Sequence, residues 1–179
     1  MNKDIELSFE RIRSIQFEQI SYLVIHREFF KDLLLDPGMI NRNDGIYTLR
    51  ILSERNSILI LSILLGNNEH FNLDQLINKA RTHNQGFNLS DNLSKKRKEL
   101  IRKFSSLNIL KIRNQHIAHI DDNRIKIDLP YTDIIDLINI LEEFFYDFNL
   151  EFDGLLFSSF LNPNSLKTLR INFDKIWEI

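Results

Sequence analysis

Residues 44–65 read DGIYTLRILSERNSILILSILL, and the second half of that stretch decides the class of fold. Ile58, Leu59, Ile60, Leu61, Ile63, Leu64 and Leu65 are apolar, with Ser62 alone breaking the run. A second helix is expected from about Asp44 to Leu65, and a helix whose second half is apolar nearly all round must be central. The run is far short of the roughly 20 apolar residues that cross a bilayer. Gly66-Asn67-Asn68 ends it.

Towards the N-terminus, Asp4 to Leu35 places Ile5, Phe9, Ile12, Ile15, Ile20, Leu23, Val24, Phe29, Phe30 and Leu34 at mostly helical spacing, so a long first helix is expected. Asp36-Pro37-Gly38 stops it. Towards the C-terminus, Asn72 is placed to cap a short third helix over about 73–84, which Asn84-Gln85-Gly86 ends. Ser90 or Asp91 then opens a fourth helix, carried to about Ile120, and Thr132 with Asp133 opens a fifth over about 132–150. Between these two, Arg124 to Asp128 alternates as a short extended piece would, and a last helical turn or two is expected within Ser165 to Trp177. The expectation is an all-α, up-and-down bundle of four to five principal helices in one domain spanning residues 1–179, with 151–179 as a C-terminal extension.

Composition narrows the classes. A chain of 179 residues, 43% hydrophobic and 27% charged, suits one core. Five glycines and three prolines are too few for the many turns of an all-β fold, and two alanines leave a core of bulky side chains. The absence of cysteine removes disulfides, thiolate nucleophiles and sulfur-ligated zinc. With a charged start (MNKDIELSFERIRS) and no membrane-length run, a soluble, cytoplasmic protein is expected.

The net charge of −2 hides an uneven division. Residues 91–119 hold eight bases (Lys95, Lys96, Arg97, Lys98, Arg102, Lys103, Lys111, Arg113) against Asp91 and Glu99, whereas residues 128–179 hold three bases against ten acids. Either two solvated helices of opposite sign lie against each other, or the strip Lys95, Lys96, Arg97, Lys98, Arg102 and Lys103 is a surface for a polyanion such as RNA.

The chemistry concentrates in Lys111-Ile-Arg-Asn-Gln-His-Ile-Ala-His-Ile-Asp121. With Arg113 at zero on a helical wheel, His116 falls at about −60°, His119 at about −120° and Asn114 at about +100°. Ile109, Ile120, Ile117 and Leu110 fall within about 60° of Arg113, which places the guanidinium in the apolar stripe. A guanidinium keeps its proton, so burial there calls for an anion. That anion is a carboxylate of the fifth helix (Asp133, Asp136, Glu142 or Glu143) or a phosphate brought by a ligand. A metal site from His116 and His119 lacks a third ligand at obvious spacing, and Arg113 beside it opposes a cation.

Arg113-Asn114-Gln-His-Ile-Ala-His119 resembles the signature of the HEPN family (higher eukaryotes and prokaryotes nucleotide-binding), an Arg followed, after four to six residues, by a His. The Arg-Asn opening, the Ala-His close and Asp121 look most like the abortive-infection branch, and Arg55-Asn56 leading into the apolar run fits the family's element order over residues 1–150. The resemblance implies a metal-independent endoribonuclease without cofactor, acting on RNA as a defence or toxin effector, with a composite site at a homodimer cleft. Arg113 and His119 would be catalytic, with Asn114 and His116 supporting. It also implies an antitoxin or regulatory protein as a possible partner. A toxin branch carries a Tyr two positions after the His; Asp121 stands there, so control through that Tyr is not implied. The alternative within the family is a non-catalytic module that binds a nucleotide, RNA or protein; outside it, a helical scaffold.

Overall fold

Phe9, Ile12, Ile20, Leu23 and Val24 are all buried on one side of a helix, so the first helix turns a mainly apolar side inward, with Arg13, Gln16 and Arg27 buried along it. This is helix α1, Lys3–Leu35. The computed structural model describes residues 3–35, 44–67, 69–116 and 129–154. Five further helices follow: α2 (Asp44–Leu65), α3 (Leu73–His83), α4 (Asp91–Ser106), α5 (Ile109–His116) and α6 (Tyr131–Asp153). The described residues form an all-α bundle without strands. Helix α1 packs against α2, α3 and α6, while α6 also takes α4 and α2 takes α5. No described helix is long and apolar enough to cross a membrane. The extended piece expected at 124–128, the Asp36-Pro37-Gly38 stop and the turns expected at 165–177 lie outside the described residues.

Two local rules set most of the boundaries. Asn72 Oδ1 accepts from Gln75 N at 2.9 Å, and Ser90 Oγ accepts from Leu93 N at 3.2 Å, each satisfying an orphan donor of its helix. Helix α6 begins one residue before Thr132, at Tyr131 behind Pro130, whose φ of −59° is already near helical. It runs to Asp153, past the expected end at 150, and stops at Gly154, whose φ of +72° is a left-handed cap.

Two expectations are corrected. The fourth helix is two helices: Leu107 and Asn108 break it, and Asn108 takes a left-handed φ of 53°. Asn tolerates that region better than most residues because its short side chain bonds locally. Helix α2, expected to be enclosed all round, buries Ile58, Leu61, Leu64 and Leu65 but leaves Leu52 50% and Leu59 37% exposed. It is a wall of the bundle and not its axis.

The seam between α1 and α6 is fixed by two arginine clamps. Arg13 Nε donates to Asn149 Oδ1 at 2.7 Å and its Nη1 pairs with Asp153 at 2.6 Å. About three turns of α6 earlier, the same device recurs with Arg27 Nη1 donating to Asn139 Oδ1 at 2.9 Å and pairing with Glu142. Both arginines are buried. The anion-seeking core arginine expected at Arg113 therefore exists at Arg13 and Arg27, on the first helix.

Candidate functional site

The turn after α2 carries the site. A Cβ on Gly66 would lie 2.4 Å from Ser62 O, so only glycine lets the chain close there. Asn72 then ties the turn shut, its Nδ2 donating to Gly66 O at 2.7 Å. Gln16, fully buried on α1, donates through Nε2 to Phe71 O at 2.9 Å and Asn72 O at 2.7 Å. These bonds hold a short connection, Gly66 to Asn72, whose one described carboxylate is Glu69.

Glu69 Oε1 accepts from Arg113 Nη1 at 2.6 Å. Arg113 thus meets an anion, but from the α2–α3 connection and not from the acids of α6. Its side chain is 28% exposed, because the expected stripe is incomplete on α5: Ile109 is fully buried whereas Leu110 is 38% exposed. Asn114 Oδ1 accepts from Arg113 Nε at 3.2 Å. Two guanidinium nitrogens are therefore engaged at a partly exposed site. His116 closes α5, its side chain outside the described set; His119 lies outside the described residues, as do Ile117 and Ile120.

The basic strip divides between two sides of α4. Lys96 Nζ pairs with Asp147 at 2.9 Å and Glu143 at 3.1 Å, and Lys103 Nζ with Asp136 at 2.9 Å, so these two lie against the acidic helix α6. The hydrogen bond to Asp147, outweighing partial burial and joined by Glu143, holds the Lys96 ammonium above the usual lysine pKa. Arg97 turns the other way, to Asp74 on α3 at 2.7 Å. Lys95, Lys98 and Arg102 are exposed. The pairing of opposite helices is met at Lys96 and Lys103, while Lys95, Lys98 and Arg102 face solvent.

Sequence reasoning missed Glu69 and Asp74, the acids that hold Arg113 and Arg97. The signal available for Asp74 was its place in the first turn of a capped helix, where an acid suits the dipole; nothing in the sequence signalled Glu69. Comparison of the chain with models of known families, with curated proteins and with solved structures gives no match.

Proposed function

We propose that the chain is a metal-independent endoribonuclease of the HEPN type, a defence or toxin effector whose site is completed in a homodimer. The observation that supports this most is the state of Arg113: a guanidinium at the end of a helix, half-buried, with one carboxylate and Asn114 as its partners. Such a fork suits the negative charge that develops on phosphorane oxygens when an RNA 2′-oxygen attacks phosphorus and the 5′-oxygen leaves. His119 takes the 2′-hydroxyl proton, and His119 of the partner subunit returns one to the leaving oxygen.

Exposed leucines on α2 and α5 support such a partner. Leu52 and Leu59 are seven residues apart, on one side of α2, and both are exposed. Leu110, also exposed, lies 3.6 Å from where a Gly66 Cβ would stand and one turn from Arg113. Pairing two such seams about a two-fold axis would set two motifs side by side.

The test is cleavage of RNA by the full chain in EDTA, with 2′,3′-cyclic phosphate ends expected. His119→Ala should be inactive at an unchanged melting temperature. An active His119→Ala variant, or activity that requires added magnesium or manganese, overturns the mechanism. The Glu69 carboxylate already on Arg113 favours a second reading, a non-catalytic binding module; it predicts RNA binding without cleavage by the wild-type chain.

A further inference from the structure

A groove of about 340 Å³ lies between α3 and α4, away from the Arg113 motif. On α3 its wall is Asp74, Ile77, Asn78 and Arg81, which share one face of the helix at steps of three and four. Across from them, Ser94, Arg97 and Lys98 share one face of α4 in the same way, and Leu89 contributes from the connection. Three cations meet one carboxylate here. The chemistry is layered. Ile77 is 3% exposed and Leu89 half-buried, which makes an apolar floor; Arg81 and Lys98 are exposed at the rim; Asn78 and Ser94 add neutral hydrogen-bonding groups between.

Arg97 is held in place within this wall. Its Nε and Nη2 both reach Asp74 Oδ1, at 2.8 and 2.7 Å, so one carboxylate oxygen fixes the plane of the guanidinium while Nη1 is left on its other edge. Among the described residues Arg97 pairs with Asp74, and neither Arg81 nor Lys98 has an ion-pair partner. An apolar floor with a cationic rim and fixed polar groups is the arrangement of a small-ligand site, and the volume falls at the lower end of the roughly 300–1,000 Å³ such sites occupy.

We infer that this groove binds one nucleoside phosphate, with the base over Ile77 and Leu89 and the phosphate between Arg81, Lys98 and the free edge of Arg97. The inference goes beyond the ribonuclease reading and does not depend on it, since neither Arg113 nor any residue of the motif lines the groove. The same chemistry is offered by a free mononucleotide and by one unit of a single-stranded RNA. Arg81 and Lys98 at its rim are exposed, which suits either.

The experiment is equilibrium binding by the full chain at low salt of three probes: adenosine 5′-monophosphate, inorganic phosphate, and a six-nucleotide oligoadenylate RNA. The expected result is one saturable site for the mononucleotide, with phosphate alone at least roughly tenfold weaker because it cannot use the apolar floor. Arg81→Gln with Lys98→Gln should weaken binding by roughly tenfold to a hundredfold through lost charge-assisted bonds. Asp74→Asn keeps an acceptor for Arg97 and removes a repelling charge, so it should tighten binding by roughly threefold to tenfold. Arg11→Gln removes one exposed cation elsewhere, on α1, and should change nothing.

Loss of mononucleotide and RNA binding together in the double variant supports the site; mononucleotide loss with RNA binding intact assigns it to a free ligand, and the reverse assigns it to RNA. Phosphate binding as tightly as the mononucleotide, no change in any probe in the double variant, or an equal loss in Arg11→Gln overturns the inference. Because the variant sites are exposed or half-exposed, the fold should survive, and a far-ultraviolet circular dichroism melt checks that it does. Cleavage measured alongside keeps the two proposals apart: a double variant that binds normally disproves the groove whatever Arg113 does.

Discussion

Arg27 and Arg113 are both arginines facing a carboxylate from another element, yet they sit in opposite kinds of place. Arg27 has a side chain 10% exposed and is shared among Glu28, Asn139 and Glu142; Arg13 repeats the pattern with Asn149, Asp153 and Glu10. Arg113 is 28% exposed, with Glu69 and its own neighbour Asn114, and Arg97 is 36% exposed, with Asp74 as its partner among the described residues. A buried cation must be matched because its desolvation is not returned by solvent, so each of the two α1–α6 arginines is held by these three partners. A half-open cation with one carboxylate can exchange that partner for a ligand's phosphate at small cost. Partner count and exposure together, more than charge, separate an arginine that holds the fold from one available to act.

The largest effect that could break this comparison is on stability. Arg27→Ala should cost about 3–5 kcal/mol by leaving Glu142 uncompensated, whereas Arg113→Ala should cost less than about 1 kcal/mol once the exposure of both Arg113 and Glu69 is allowed for. Urea unfolding midpoints at constant slope decide it. An Arg113→Ala loss as large as that of Arg27→Ala would return Arg113 to the structural class. Next in size is catalysis: Arg113→Lys keeps the charge and loses the planar fork, so RNA cleavage should fall by roughly a hundredfold, about 2.7 kcal/mol, with the unfolding midpoint unchanged. Full activity in Arg113→Lys would show that the fork is not used.

Local chemistry displays some of these features in the sequence, and long-range pairing conceals the rest. Helix ends written in local chemistry were legible: Gly66, the Asn72 cap, the Ser90 cap and Asn84 all fall where the sequence places them. The break at Leu107–Asn108 was not, because apolar spacing continues from Phe104 through Leu107 to Ile109 and no glycine or proline interrupts it. Ser105, Ser106 and Asn108, weak helix formers in a row, were the one local sign. Partners distant in sequence were invisible. Arg13 and Asn149 are 136 residues apart, Arg113 and Glu69 are 44 apart, and nothing in a helical wheel chooses among the carboxylates elsewhere in the chain. The wheel stated correctly that an arginine on an apolar side needs an anion, and misplaced which arginine goes deepest.

A smaller effect sharpens the division within α4. Lys96→Gln with Lys103→Gln should cost about 1 kcal/mol, since Lys96 and Lys103 are each about one-quarter exposed and tie α4 to Asp136, Glu143 and Asp147. Lys95→Gln with Arg102→Gln should change stability by less than about 0.5 kcal/mol. RNA binding should show the opposite order, the second pair flattening its salt dependence and the first leaving it nearly unchanged. Equal losses of RNA affinity in both pairs would mean that the α6 carboxylates release their lysines to the polyanion, and the two sides of α4 would then be one surface.

The smallest effect is a pH dependence confined to the α1–α2 side of the sealed region. His26 Nδ1 lies 3.1 Å from Ser53 O and 2.9 Å from Ser57 Oγ, both on α2, and Ser57 is fully buried. Burial lowers the His26 pKa below its usual value, outweighing the Ser53 carbonyl, which acts to raise it. The folded chain therefore prefers the neutral ring. Above about pH 6.5 the ring is neutral in folded and unfolded chains alike, and its full contribution is present. As pH falls below that value the unfolded chain takes up the proton first, so stability declines until the lower folded pKa is passed. Glu28 also loses stability on acidification: burial pushes its carboxyl up, but the bonds from Lys31 and Arg27 prevail and depress it, so that loss falls in the carboxylate range. Urea midpoints measured from pH 7.5 down to pH 5.5 isolate the histidine. They should fall in the wild-type chain and stay level in His26→Asn, while Arg113→Ala keeps the wild-type slope. A slope that persists in His26→Asn would place the titrating group elsewhere, and one that vanishes in Arg113→Ala would link the open site to the sealed seam.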